Sequence, residues 1–478
     1  TYSSLFIGIV VGALLATDFS PIGALDTIIN DGLTAAIADN AGIFLFLVIL
    51  GVMVALVNAT GGSAAFGRWA ASHIHSKAGA LLATFALGVL IFIDDYFNCL
   101  TVGSVMTPVT DSQRISRVKL AYLIDATAAP ICMIAPISSW AAAVSGVAAK
   151  LDTGVSGIQL FIEAIPYNFY SLLTIVFVIT MVVLGVDYGP MAAAELKAAQ
   201  TGDLGALSEE QEEGSSRANM WDMLIPIILL IIFCVIGLIY VGGFWDPETN
   251  AGDFIAAFGD TDAFVGLPWG ALIALVLSII YLCARRVITF KGAMGCMTKG
   301  FNAMVPAILI LTFAVSLKSM TGLLGAADYV EGLMKQASEG LFMLLPAIIF
   351  VVACLLAFAT GTSWGTFGIL IPIVLPIFNA APDLQIMGIS ACLAGAVCGD
   401  HCSPISDTTI MASAGANCNH IDHVSTQIPY AVTVAAICFV NYILAAFIRN
   451  VVISLAIGVV MVIGTLLVIR SVQSRKTA

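Results

Sequence analysis

Apolar runs long enough to cross a bilayer recur along the whole chain, near 4–19, 41–59, 163–186, 221–242, 264–283, 301–320, 386–411, 427–447 and 451–470. A helix needs about 20 apolar residues to span a hydrocarbon core ~30 Å thick. In that core every backbone N–H and C=O must be satisfied internally, which leaves helices as the solution for runs of this length. Charged residues make up 10% of the 478 and hydrophobic ones 60%, whereas a soluble domain carries about 25% charged residues. The fold class is therefore an all-α polytopic membrane protein. The net charge of −12 is spread over loops and offers no basic face to a nucleic acid; the partner is the lipid bilayer.

Two pairs of runs depart from simple crossings. Residues 78–93 and 97–109 are parted only by Asp94-Asp95-Tyr96, and 340–359 and 362–380 by Thr360-Gly361-Thr362-Ser363. Both pairs read as re-entrant hairpins whose polar tips lie in protein at membrane depth, where non-helical backbone is tolerated. Basic residues support this. With both hairpins returning to their own side, all 18 Lys and Arg except Lys150, Lys318, Lys335 and Arg449 face the cytoplasm, as the positive-inside bias requires. The cytoplasmic set includes Arg114, Arg117 and Lys119, and both termini fall on the same side. The outer loops 18–40 and 243–263 hold acids and no Lys or Arg.

The two halves echo each other. ALVNATGG (55–62) and SLKSMTG (316–322) each precede a hairpin, and each hairpin precedes a helix broken at Pro-Ile-Ser, at 136–138 and 404–406. Matching units of opposite orientation make two inverted-topology repeats, each with a re-entrant hairpin and a broken transmembrane helix. The expected division is a first repeat with its N-terminal helix (1–186), then a cytoplasmic linker, linker helix and outer loop (187–263). An inverted second repeat (264–447) and a peripheral C-terminal helix and tail (448–478) complete it. The acidic run 208–213 reads as a solvated loop.

Residues 395–431 concentrate the polar chemistry. Ionisable groups at membrane depth are costly and mark functional sites by default. Five carboxylates fall there: Asp94, Asp95, Asp125, Asp400 and Asp407. A hard cation such as Na⁺ takes oxygen ligands. The tips and breaks supply them from Asn98, Ser138, Ser139, Thr362, Ser363, Thr366, Ser403, Ser406, Thr408 and Thr409, with Asp94, Asp407, Thr362 and Ser406 as the Na⁺ ligands. A carboxylate removed from water holds its proton more tightly, so proton and cation compete for one site. His401, beside Asp400, is either a proton carrier or a structural partner of that aspartate. The run 417–423, with His420, Asp422 and His423, reads as helix capping or a surface turn in a cytoplasmic loop rather than a transition-metal site, because it lacks the i, i+4 helical spacing of a zincin. Trp140 and Trp364 read as packing around the site.

GDHCSPISDTTIMAS and HIDHVSTQIPYA, with FIDDYFNCLTVGSVMTPVTD and LAYLIDATAAPICMIAPISSWAA, resemble the NhaC family of Na⁺/H⁺ antiporters, over roughly residues 40–445. The resemblance implies the architecture of the wider ion transporter superfamily: inverted repeats with helical hairpins, a scaffold and a moving transport domain, and a homodimer. The hairpins with helices 119–146 and 386–411 would form the transport domain. The function expected is secondary antiport of Na⁺ for H⁺ across a prokaryotic cytoplasmic membrane, with both ions as cargo and no cofactor. The alternative is a Na⁺-coupled carrier of an amino acid or small carboxylate, malate/lactate exchange included. An enzyme is disfavoured because no nucleophile with a base stands at membrane depth.

Overall fold

The structure, a computed structural model, describes residues 2–92, 95–136, 138–148, 157–207, 217–259, 261–325, 339–378 and 384–477. Where the sequence reads as a first outer loop, helix continues: α1 (Tyr2–Ala16), α2 (Pro21–Thr27), a π-helical stretch Ile28–Thr34 and α3 (Ala35–Asp39). The first half continues with α4 (Ala41–Thr60), α5 (Gly62–His73), α6 (Lys77–Leu90), α7 (Asp95–Ser112), α8 (Arg117–Thr127), α9 (Ala129–Cys132), α10 (Ser139–Ala148), α11 (Gly157–Ala164) and α12 (Phe169–Leu184). A linker helix α13 (Gly189–Thr201) leads to α14 (Trp221–Val241), α15 (Phe254–Gly259), α16 (Ala263–Ala284) and α17 (Phe290–Leu323). The chain closes with α18 (Glu339–Thr360), α19 (Ser363–Ile377), α20 (Gln385–Cys402), α21 (Asp407–Gly415), α22 (His420–Ile448) and α23 (Val451–Thr477). Among the described residues there is no strand beyond an isolated bridge between Ala206 and Cys418.

Six of the described helices, α4, α14, α16, α18, α22 and α23, are long and apolar enough to cross a membrane, and α11 with α12, bent by 46°, would make a seventh. The protein is an α-helical multi-pass membrane protein. The short arms of the first hairpin follow from the sequence: α6 stops before the polar tip, where Asp94 lies outside the described residues. Asn98 then ties the turn, its Nδ2 donating to Gly88 O (2.7 Å) and Ile91 O (3.0 Å). The chain thus folds back on itself here. α18 and α19 likewise pack together, although α18 alone is long enough for a crossing.

Two helices form the buried centre. α8 is buried at every residue, and α20 from Met387 to His401. α20 achieves this with small residues: Gly395 and Gly399, four apart, lie where a Cβ would run into the Phe350 and Cys354 carbonyls of α18. Close backbone approach through small residues is how helices associate without a hydrophobic drive between them.

α8 is buried despite its charges because each has a partner. Lys119, expected at the cytoplasmic face, is enclosed in protein and pairs with Asp187 in the loop after α12. Tyr430 of α22 donates to the same carboxylate oxygen (2.7 Å), and Gln473 of α23 donates to the Asp187 carbonyl (2.7 Å). Arg117 is enclosed as well. At the same end, Glu195 of α13 accepts from the Ser116 N–H (2.8 Å) and hydroxyl (2.6 Å) and pairs with Lys77 (2.5 Å). The linker helix is therefore fastened to the starts of α6 and α8; the acidic run 208–213 lies outside the described residues.

Burial alone would raise the Asp187 carboxyl, but the Lys119 charge and the hydrogen bonds from Lys119 and Tyr430 outweigh it and hold the group below the ordinary carboxylate range. A carboxylate depressed in the folded state contributes stability above its unfolded value of about 3.9, and loses it as pH falls through the folded value. Thermal melts of the detergent-solubilised protein should therefore be insensitive to this group at neutral pH and fall below about pH 4. Asp187→Asn should melt lower at neutral pH and show a shallower acid limb; an unchanged acid limb would refute the assignment.

Candidate functional site

The breaks and tips meet. Asn98, having pinned the first hairpin, also donates to Thr127 O (3.0 Å), where α8 ends. The first-half break is longer than the sequence suggests. It begins at Ala128, ahead of Pro130, and runs on to Ser138, which caps α10 by accepting from Ala141 N–H (3.1 Å). Ser138 also donates to Cys132 O (2.8 Å), closing the non-helical stretch on itself. Ile137 lies outside the described residues. Ser139, the first residue of α10, is buried.

The second-half break spans 403–406, where Pro404 stops α20. Ser406 caps α21, accepting from Thr409 N–H (3.3 Å), and its hydroxyl lies 3.0 Å from that of Thr408. Ser403 donates to Phe358 O of α18 (2.8 Å). Gly361, at φ +67°, turns the chain from α18 into α19, and an added Cβ there would sit 2.5 Å from Ile405 O. The hairpin tip thus rests directly on the break, with Thr362 and Ser406 each one residue from the contact. Thr362 caps α19 through Gly365 N–H (3.3 Å) and takes a hydrogen bond from Thr366 on its carbonyl (2.9 Å). Ser363 donates to Asp400 Oδ2 (2.7 Å) and Ala396 O (3.1 Å), and Thr409 donates to Asp400 O (3.4 Å).

α7 and α21 join the two halves. Cys99 Sγ is 3.8 Å from Thr408 O, and Gly103 packs on Gly415 with no room for a Cβ on either. Contacts that advance from 99 to 103 as the partner advances from 408 to 415 require parallel helices. Asp95 and Asp407, the first residues of α7 and α21, therefore start at the same end of this pair. Asp95 is buried, and the side chain of Asp407 lies outside the described residues. Trp140 of α10 and Trp364 of α19 meet edge to face at 6.0 Å, bringing two more helix starts together. Backbone amides at such starts carry partial positive charge.

Two expected members of the site, His401 and Asp125, separate from this group. His401 turns from Asp400 and hydrogen-bonds Tyr170 of α12 (2.8 Å), its ring stacked on Tyr122 at 6.1 Å. Asp125 faces α22, as does the backbone of His401. The run 417–423 needs correction: Asn419 does cap a helix, accepting from the N–H groups of Ile421 and Asp422, but His423 is not on a surface turn. It is fully buried, 3.3 Å from Asp125, because the first turns of α22 pack against α8 and α20. His420 holds Pro404 O (2.7 Å) and so braces the break. Gln427, four residues beyond His423, is a further buried polar residue that sequence reasoning passed over. That spacing on an apolar helix was its available signal.

A model of the Na⁺/H⁺ antiporter family matches residues 131–447. An uncharacterised protein of Haemophilus influenzae is 37% identical over 460 residues, covering 93% of this chain and 87% of that one. The arginine/ornithine antiporter ArcD of Halobacterium salinarum is 26% identical over 239 residues, 49% of this chain and 44% of its own. The malate-2H⁺/Na⁺-lactate antiporter of Bacillus subtilis is 26% identical over 198 residues, 41% of this chain and 42% of its own. With its family model spanning the second-half break and a relative alike along nearly the whole length, the chain belongs to the Na⁺/H⁺ antiporter family.

Proposed function

We propose that this secondary transporter exchanges Na⁺ for H⁺ across the cytoplasmic membrane by alternating access. The observation that carries the reading is the contact of Gly361 with Ile405, which sets the second hairpin tip on the second helix break. Hydroxyls of Thr362, Ser363, Ser406 and Thr408 gather there with Asp400, and Asp407 starts α21 at the end of the pair where Asp95 starts α7. Oxygen donors and carboxylates at membrane depth suit a small hard cation. Asp94, Asp407, Thr362 and Ser406 are the proposed Na⁺ ligands. The hairpin–break order in each half supports two inverted repeats, with the hairpins, α8 and α20 as the moving unit.

One observation favours a second reading. The starts of α7, α10, α19 and α21 lie around the same place, and helix N-termini in transporters are suited to a substrate carboxylate. The relatives named for arginine/ornithine and malate/lactate exchange make an organic cargo a specific alternative.

Proteoliposomes with an acid interior and an enclosed pH dye test both. NaCl added outside should alkalinise the interior, and KCl should not. Silence with NaCl alone, followed by a response once an amino acid or small carboxylate is supplied, would replace the first reading by the second.

A further inference from the structure

Away from the hairpin tips, a second polar centre lies between α8, α20 and α22. Asp125, His401, His423 and Gln427 are each at most 2% exposed. Asp125 Oδ2 sits 3.3 Å from His423 Nε2 and accepts from Gln427 Nε2 (2.9 Å), which also donates to His401 O (2.6 Å). Asp125 Oδ1, both ring nitrogens of His423, His401 Nε2 and Gln427 Oε1 have no hydrogen-bond partner among the described residues. Five orphaned polar atoms in one buried cluster are costly as structure alone.

The charges around the pair are otherwise accounted for. On α8, Lys119 is taken by Asp187, and Arg117 by Asp111 of α7. Glu195 of α13 is taken by Lys77 of α6. Tyr122 lies on the His401 ring and against Tyr430 of α22, and Tyr170 approaches from α12. His420, at the start of α22, is engaged with Pro404 and Ser413 of α21. Cys402 and Asp400 are the remaining titratable neighbours on α20, and Asp400 is directed to Ser363. Asp125 thus faces the imidazole of His423, with that of His401 in the same cluster. With one proton between Asp125 and His423 the pair is neutral, and losing that proton leaves an uncompensated buried negative charge.

We propose that Asp125 and His423 form a proton-binding site distinct from the cation site, with Gln427 as the positioning residue that fixes the carboxylate against α20. α20 couples the two sites, since consecutive residues Asp400 and His401 belong one to each. This rests on the exchange reading above.

The test uses the full-length protein and two readouts. In proteoliposomes, Asp125→Asn and His423→Gln should retain exchange of labelled Na⁺ for unlabelled Na⁺ and lose Na⁺-driven proton movement, with Asp125→Glu recovering part of it. Unchanged proton movement in both variants, or joint loss of both fluxes in variants that still elute as folded protein, would overturn the proposal. Independently of Na⁺, the ¹⁵N-histidine signal of His423 should respond to pH in the wild type, and that response should change in Asp125→Asn. A His423 signal that never titrates, or that titrates identically in Asp125→Asn, would overturn it even if a variant failed to fold. Wild-type liposomes without any Na⁺-driven flux would instead refute the exchange reading and leave the histidine spectrum to decide the proton site.

Discussion

Alanine at position 361 is expected to reduce transport at least about tenfold, the equivalent of roughly 1.4 kcal/mol or more in the rate-limiting barrier, while the protein still reaches the membrane. Two independent costs meet at this residue. Its φ of +67° lies in the left-handed region, which costs an L side chain about 1–2 kcal/mol. Its Cβ would also stand 2.5 Å from Ile405 O and 2.8 Å from Ile405 C, and backbone on that side cannot rotate away. The tip must therefore lift off the 403–406 break, carrying Thr362 and Ser363 away from Ser406 and Asp400. A displacement of about an ångström is enough to spoil a small-ligand site. Gly368→Ala is the control: it lies on the same helix, with nothing within 4 Å of its added Cβ. It should transport normally. Wild-type flux from Gly361→Ala would show that the tip does not bear on the break during transport.

Removing the Arg117 side chain is expected to destabilise the protein by about 2–4 kcal/mol, somewhat less than a fully buried pair. Its Nε and Nη2 donate to the two oxygens of Asp111, both at 2.7 Å, and its Nη1 donates to Ala416 O at 2.8 Å. One planar group thus fastens the end of α7, the start of α8 and the turn after α21. Lysine has no such fork, so Arg117→Lys should recover only part of the loss. Asp111→Ala combined with Arg117→Ala should cost less than the sum of the two, because the second change removes a charge the first has stranded. Thermal unfolding of the detergent-solubilised variants reads all three. Arg117→Ala melting with the wild type would show that these contacts carry no net stability.

The membrane class, the two polar tips and the proline break at 404 were legible because each is a local pattern. Ser138, Thr362 and Ser406 were read only as cation ligands, although each stands just ahead of a helix, where a hydroxyl satisfies a free N–H. Pairings across long separations were not legible. A lysine in the sequence reads as a cytoplasmic residue, and nothing near Lys119 announces Asp187. His423 was hidden for a related reason. Its polar neighbours Asn419 and Asp422 suit a surface turn, and only the packing of α22 on α8 reveals that the histidine side of that turn is enclosed. Asp125 and His401 were legible as candidates but were assigned to the tip cluster. His401 leaves the tip because adjacent helical residues point about 100° apart, and Asp125 because its place on α8 faces His423 and Gln427 of α22.

The meeting of α7 with α21 bears on how the chain is made. Cys99 and Thr408 touch across 309 residues, a stretch that takes a ribosome roughly 15–60 s to synthesise at about 5–20 residues per second. For that interval the first hairpin, with its acidic tip, exists without the helix that Gly103 is shaped to receive. Its polar turn must be sheltered by the insertion machinery, or wait at the membrane surface, until the last quarter of the chain arrives. The assembly of this protein is therefore set late, by the emergence of residues 403–415, and a ribosome stalled before them would leave a hairpin with no place to settle.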